Sequence, residues 1–174
     1  MITTTTPSTT TAAERLQELD LVLPKAPPAA AQYLPWTRHE SLLFVAGQLP
    51  FVDGELAATG LVGRDLDVDQ ANQLARLCAL NALAVAHDAL GSLDDGLCLR
   101  QLVVFVASDP SFASQHLVAD GASTLMVDVL GDRGRHARTA VATPILPLNS
   151  PVEIQATFGL DPARQLDERN VNHG

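Results

Sequence analysis

Aromatic residues are scarce in this chain: Phe, Trp and Tyr make up 4% of its 174 positions, although 47% are hydrophobic. Ala, Leu and Val carry the apolar fraction, so the interior is predicted to be aliphatic and closely packed. Basic charge is scarce too. Eleven Lys and Arg against twenty Asp and Glu give a formal net charge of −9 and an isoelectric point near 4.8. That balance opposes binding to a phosphate backbone unless the basic residues cluster. Two cysteines, Cys78 and Cys98, cannot build a disulfide framework, and their Leu and Ala neighbours mark them as small buried thiols. No apolar run approaches the roughly 20 residues of a membrane helix; the longest, Leu74 to Leu90, is broken by Arg76, Asn81, His87 and Asp88. Residues 1–11, with seven threonines and no charged side chain, lack the basic start and apolar stretch of a secretory signal. They read as a disordered tail and 161–174 as a polar C-terminal tail, with one domain over 12–160. A cytoplasmic protein is expected, without membrane or nucleic-acid partners. Phosphate-loop, dinucleotide, His-Glu-x-x-His, Cys-x-x-Cys and Gly-x-Ser-x-Gly signatures are missing. The histidines at 39, 87, 116, 136 and 173 show no metal-ligand spacing, so neither a metal nor a cofactor is expected.

What is present reads as one α+β domain. Ala12 to Leu19 is predicted helical, with Thr11 as cap and Glu14 at capping-box spacing. Pro24, Pro27 and Pro28 forbid regular structure from Leu23 to Gln32. Leu42 to Gly47 is a short apolar run, read as a buried strand with Trp36 to His39 as its partner. Phe51 to Gly63, with Asp53-Gly54, Gly60 and Gly63, is turn chemistry with room for a small hairpin. Asp67 to Leu90 is the strongest helix. Asp65 or Asp67 caps it, Gly91 closes it, and Leu74, Cys78 and Val85 share a face with Ala71, Ala75 and Ala82. Leu99 to Ala107 reads as a strand, and Ser114 to Leu130 as a helix interrupted at Gly121. Ala137 to Leu146 and Val152 to Phe158 follow as strands. This order predicts two helices packed on one face of a mixed or mostly antiparallel sheet. Strands that are apolar on nearly every residue leave the second face to be buried, which predicts self-association.

Polar chemistry concentrates near the last two strands. Gly131 to Thr139 holds Arg133, Arg135, His136 and Arg138, the densest basic patch of the acidic chain. Arg133 and Arg135 read as loop residues paired with nearby acids. Arg138 abuts the apolar run from Thr139 to Ile145, and a guanidinium leading into a core strand needs a partner, such as a carboxylate gripped by two hydrogen bonds. Glu153 is the only acid between Asp132 and Asp161. It is either a general acid or base in a half-dry cleft or a solvated residue placed by alternation. If the last two strands pair as a hairpin about Pro147 to Ser150, residue 153 faces residue 144. A site shared with Arg138 then needs a neighbouring subunit or a different strand order.

Phe44-Val45-Ala46-Gly47-Gln48-Leu49-Pro50, Ala89-Leu90-Gly91, Val103-Val104-Phe105-Val106, Ala137-Arg138-Thr139-Ala140-Val141, and Leu146-Pro147 followed by Pro151-Val152-Glu153-Ile154 resemble the YjgF/Rid family. The likeness runs from about Pro24 to Phe158; the family is also labelled L-PSP endoribonuclease. Arg76 to Leu83, Gly121-Ala122-Ser123 and Gly134 to Arg138 resemble its longer-chain, largely uncharacterised branch. The resemblance implies a chorismate-mutase-like fold, a homotrimer, and a small-molecule site in each cleft between subunits. It implies hydrolytic deamination of reactive imines and enamines shed by pyridoxal-phosphate enzymes, giving a 2-oxo acid and ammonia without a cofactor. Arg138 matches the residue that grips the substrate carboxylate, and Glu153 the acid that positions or activates water. Ala140 matches a backbone carbonyl holding that water, Tyr33 a tyrosine lining the cleft, and Gly47 and Gln48 the strand end beside it. The family often has serine where Ala46 stands, and His116, Asp120 and Ser123 are alternative counterparts of its asparagine. Two other readings stand beside this one: a non-catalytic binder of small carboxylates, and an endoribonuclease, which the charge and the lack of an aromatic stacking surface disfavour.

Overall fold

The structure, a computed structural model, describes residues 10–26 and 32–160. The expected tails at 1–9 and 161–174, and the 27–31 part of the proline-rich loop, lie outside the described residues. Thr11, assigned above to the tail, belongs to the fold. Its hydroxyl accepts from the Glu14 amide, and the Glu14 carboxylate accepts from the Thr11 amide, so the capping box forms at the start of α1 (Ala12–Glu18).

The chain then forms β1 (Trp36–His39), β2 (Leu42–Gln48), and a small hairpin of β3 (Phe51–Val52) and β4 (Glu55–Leu56). Asp53 and Gly54 both take positive φ in its turn, as the hairpin geometry demands. Helix α2 (Val68–Leu90) is capped by Asp67, which exchanges hydrogen bonds with Gln70, and ends at Gly91 in the left-handed region. There follow β5 (Cys98–Ala107), α3 (Gln115–Leu130), β6 (Ala137–Thr143) and β7 (Val152–Gly159). Strand β6 stops short of the expected Leu146, because Pro144 has no amide to continue a ladder.

The main sheet has the order β1-β2-β7-β5-β6. Every pairing is antiparallel except that of β5 with β6. The sheet is mixed, as expected, but the hairpin considered for the last two strands does not form: β5 lies between them. The reason is the crossover. β5, α3 and β6 are a strand–helix–strand unit, which joins parallel neighbours and packs its helix on the sheet. β6 therefore takes one side of β5 and leaves β7 the other.

One face of the sheet makes the core. Leu43, Val45, Leu102, Val104, Val106, Val152, Ile154, Ala156 and Phe158 are buried against α2 and α3, each large side chain contributing about 1.5–3 kcal/mol by its removal from water. Ala71, Ala75, Cys78, Ala79, Ala82 and Val85 line the inner face of α2, so α2 lies close to the strands. The α1 helix rests on α3, so three helices, not two, build this layer. Among the described residues no helix covers the other face, which presents Phe44, Val103, Phe105 and Val141 together with Thr37, Thr139, Gln155 and Thr157. Nor is any described helix long and apolar enough to cross a membrane.

Gly121 does not interrupt α3; it marks where α3 crosses α2. A Cβ at 121 would collide with the Asn72 backbone carbonyl oxygen, while the Asn72 amide donates to the Leu117 carbonyl at 2.8 Å. Gly121→Ala gains about 1 kcal/mol of helix propensity but forces two backbones apart. We expect a net loss of about 1–3 kcal/mol, measured by urea denaturation. Equal or higher stability would show that the helices do not touch there.

Candidate functional site

Two clusters of polar side chains carry the residues singled out in the sequence. The first centres on Glu153. In the β2–β7 ladder Val45 pairs with Ala156 and Gln48 with Ile154, so Ala46 and Gly47 together oppose Gln155. This β-bulge lets Val45 and Gln48, three positions apart, both face the core. Gln48 is 5% exposed, and its Nε2 donates to the Ala46 carbonyl at 3.0 Å, tying the bulge together. Gly47 passes directly beneath Glu153, and a Cβ there would fall on Glu153 Oε1. A side chain at 47 would push the carboxyl out of this seat.

Val152 and Ile154 point to the helices, so Glu153 points to the open face, opposite Phe105, which is itself opposite Val141. Its carboxyl is half-buried and has no hydrogen-bond or ion-pair partner among the described residues. Burial disfavours the ionised form and raises its pKa above the ordinary carboxyl value.

The second cluster centres on Arg138. It pairs in register with the core residue Leu102, so its side chain leaves β6 on the helix side. Its Nη1 donates to Asp120 Oδ1 at 2.7 Å and to Ser123 Oγ at 3.1 Å, both on α3. Ser123 Oγ is also 3.1 Å from His136 Nε2, and His136 Nδ1 is 2.6 Å from the Gly134 carbonyl. The partner that a guanidinium at this position requires is thus Asp120. Of the three alternatives named for the family asparagine, Asp120 and Ser123 bond to Arg138, and His116 does not.

Arg138 and Glu153 do not meet within one chain. They project from opposite faces of the sheet. Three residues along the strands, at about 3.3 Å each, and two strand spacings of about 4.8 Å separate their Cα atoms by roughly 14 Å. Ala140 lies one strand beyond Val104 and packs against the core from β6, the edge strand. Tyr33 precedes β1 and is 51% exposed. The Pro35 carbonyl accepts from the Ala46 amide at 2.9 Å, which extends the β1–β2 ladder and sets Tyr33 at the bulge end of the sheet.

The other arginines are structural, as expected. Arg135 pairs with Asp132, and Arg133 with Asp94, both at 3.0 Å. Arg133 Nη1 also donates to the Leu93 and Leu97 carbonyls, clamping the loop before β5. Sequence reasoning missed two features. Asn81, 4% exposed on α2, donates to the Leu49 and Phe51 carbonyls and fixes the chain leaving the bulge. An asparagine within an Ala-Leu helix face was the available signal, because a buried amide must find partners. The Ser123–His136 contact spans 13 positions and has no local signature.

Residues 13–157 match the family model "YjgF/chorismate_mutase-like, putative endoribonuclease". The Trypanosoma cruzi protein TCP17 is 41% identical over 150 residues, covering 86% of this chain and 94% of its own. The crystal structure of Atu1372 from Agrobacterium tumefaciens is similar at 49% identity and a TM-score of 0.81, over 86% of this chain and 92% of that one. A Shewanella oneidensis structure described as an endoribonuclease is 31% identical with a TM-score of 0.84, over 86% and 99%.

The pKa shift of Glu153 has a testable consequence. A carboxyl that holds its proton more tightly when folded destabilises the fold once ionised. That penalty is absent below the ordinary value of 4.5 and grows as pH rises through the folded-state value. Glu153→Gln is therefore expected to match the parent protein in acid and to melt higher at neutral pH. Thermal melts across that range check it; a variant that loses ground as pH rises would reverse the sign.

Proposed function

Because the chain belongs to the YjgF/chorismate-mutase-like family, we propose that it is a hydrolytic deaminase of reactive 2-imino acids and their enamine tautomers. The observation that carries this reading is Glu153: a half-buried carboxyl of raised pKa, without a partner among the described residues, poised over a glycine on a sheet face that no described helix covers. Such a group takes up a proton more readily than a solvated carboxylate does.

Arg138 and Glu153 serve one site only if they come from different copies. Arg138 lies on the edge strand and Glu153 on the open face, so the β6 edge of one protomer set against the open face of the next brings them together. Head-to-tail contacts of this kind make a ring when the rotation between neighbours closes, and a homotrimeric ring acting in the cytoplasm is part of the proposal. The imino acid is held by its carboxylate on Arg138. Water, placed by Glu153 and the Ala140 carbonyl, adds to the imine carbon as Glu153 takes its proton. The carbinolamine nitrogen is then protonated, the C–N bond breaks, and ammonia leaves a 2-oxo acid. One water is consumed and no electrons are exchanged, so the chain's own groups are sufficient. Imines hydrolyse readily, and positioning with proton transfer supplies the acceleration.

One feature favours a second reading, a binder of 2-oxo acids without turnover: Ala46 brings no hydroxyl to the bulge, where the family often has serine. The ribonuclease reading fares worse. In a chain with net charge −9, Arg133 and Arg135 of the basic patch are engaged in the ion pairs Arg133–Asp94 and Arg135–Asp132, which leaves no broad basic stripe for a phosphate backbone.

The test is ammonia release from 2-iminopropanoate generated in place by an amino-acid oxidase. The protein should accelerate it, and Glu153→Gln should lower the rate about 100-fold or more while pyruvate binding persists. Binding without acceleration selects the second reading, and neither binding nor acceleration rejects both. Light scattering should report about three times 18.4 kDa; a monodisperse monomer would reject the shared site.

A further inference from the structure

The Arg138 guanidinium is used unevenly. Its Nη1 makes both bonds to α3, at 2.7 Å to Asp120 and 3.1 Å to Ser123. A terminal guanidinium nitrogen carries two hydrogens, so Nη1 is fully engaged. Its Nε and Nη2 have no partner among the described residues. These two form the side edge of the guanidinium, the parallel pair of donors that matches the two oxygens of a carboxylate.

With the His136 ring neutral, the bond directions in the rest of the cluster follow. A carbonyl only accepts, so His136 Nδ1 donates to the Gly134 carbonyl. In the neutral ring Nε2 is then an acceptor, and the Ser123 hydroxyl donates to it. The hydroxyl proton is thereby turned away, and a lone pair of Ser123 Oγ is left facing Arg138. Gly134 is itself held close: a Cβ there would strike the Met126 carbonyl on α3. The chain from Gly134 through His136 and Ser123 to Arg138 is thus anchored to the helix at both ends.

We propose that Asp120, Ser123 and His136 are positioning residues that hold Arg138 by Nη1 and present its Nε/Nη2 edge to the carboxylate of the substrate. The proposal rests on the reading of Arg138 as the carboxylate grip, and it extends that reading to residues that do not touch the ligand. The gain is preorganisation: a long, flexible arginine is set in its binding rotamer before the ligand arrives. Asp120 also offsets part of the cationic charge, so the grip relies on geometry more than on net attraction.

Two measurements decide it. The first needs no ligand. In protein carrying ¹⁵N-arginine, the Arg138 Nη1 protons, assigned by their loss in Arg138→Lys, should be resolved and restricted in rotation. They should average in Asp120→Ala and in Ser123→Ala. An averaged Arg138 signal in the parent protein overturns the proposal. The second is calorimetric titration with pyruvate. Ser123→Ala and His136→Ala should each weaken binding roughly 3- to 10-fold, and Ser123→Thr, which restores the hydroxyl, should recover it. In an Arg138→Ala background the same changes should have no further effect. A Ser123→Ala loss as large there as in the parent means that Ser123 acts on the ligand or on the fold, and overturns the positioning role. If the parent protein binds no pyruvate, the reading of Arg138 as a carboxylate grip fails, and the Nη1 signals alone decide whether α3 orients this side chain.

Discussion

The position of β5 in the sheet sets everything else. Its ten residues pair antiparallel with β7 on one side and parallel with β6 on the other. The parallel side exists because α3 must carry the chain back over the helical face before β6 can begin. That crossover makes β6 an edge strand, puts Arg138 beside α3, and sends β7 inward between β5 and β2. Glu153 is consequently a residue of the sheet's interior row and Arg138 a residue of its rim. Both groups are placed by one topological decision, and that decision separates them within a single chain.

Departures from regular strand geometry then tune the two places. The bulge at Ala46 and Gly47 turns Gln48 inward and clears the space that the Glu153 carboxyl occupies. A second irregularity at Arg100 lets Leu99 and Leu102 both face the core. In each case an extra residue shifts the alternation by one, so a polar or glycine position is gained without the loss of an apolar contact. The cost of a buried amide at Gln48 or Asn81 is offset by backbone carbonyls placed to accept from it.

The charged groups follow a consistent pattern. Arg133, Arg135 and Arg138 each find an acid; Arg133 ties the Asp94 loop and Arg138 ties α3, while the Arg135–Asp132 pair is local and exposed. Glu153 stands apart from this pattern. It is held half-buried with no cation beside it among the described residues, against the general preference for paired charges in poorly hydrated places.

Much of the architecture was legible locally. The capping box at Thr11, an acidic cap for α2 at Asp65 or Asp67, the stop at Gly91, the Asp53-Gly54 turn and the alanine face of α2 are written in neighbouring residues, because caps, turns and helix faces depend on contacts within a few positions. Arg138 and Glu153 stand out in the sequence as well, as charges embedded in apolar strands. Gly121 was misread, because a glycine required by a neighbouring helix looks the same in sequence as one that ends a helix. Pro147 to Ser150 suggested a hairpin, because turn chemistry states that the chain reverses but not which strand it returns to. The strand order, the partner of Arg138, the seat of Glu153 over Gly47 and the Ser123–His136 bond were decided only by tertiary structure. Each joins residues distant along the chain, and such pairings are selected by the burial of the whole sheet against its helices, a quantity that no short stretch of sequence contains.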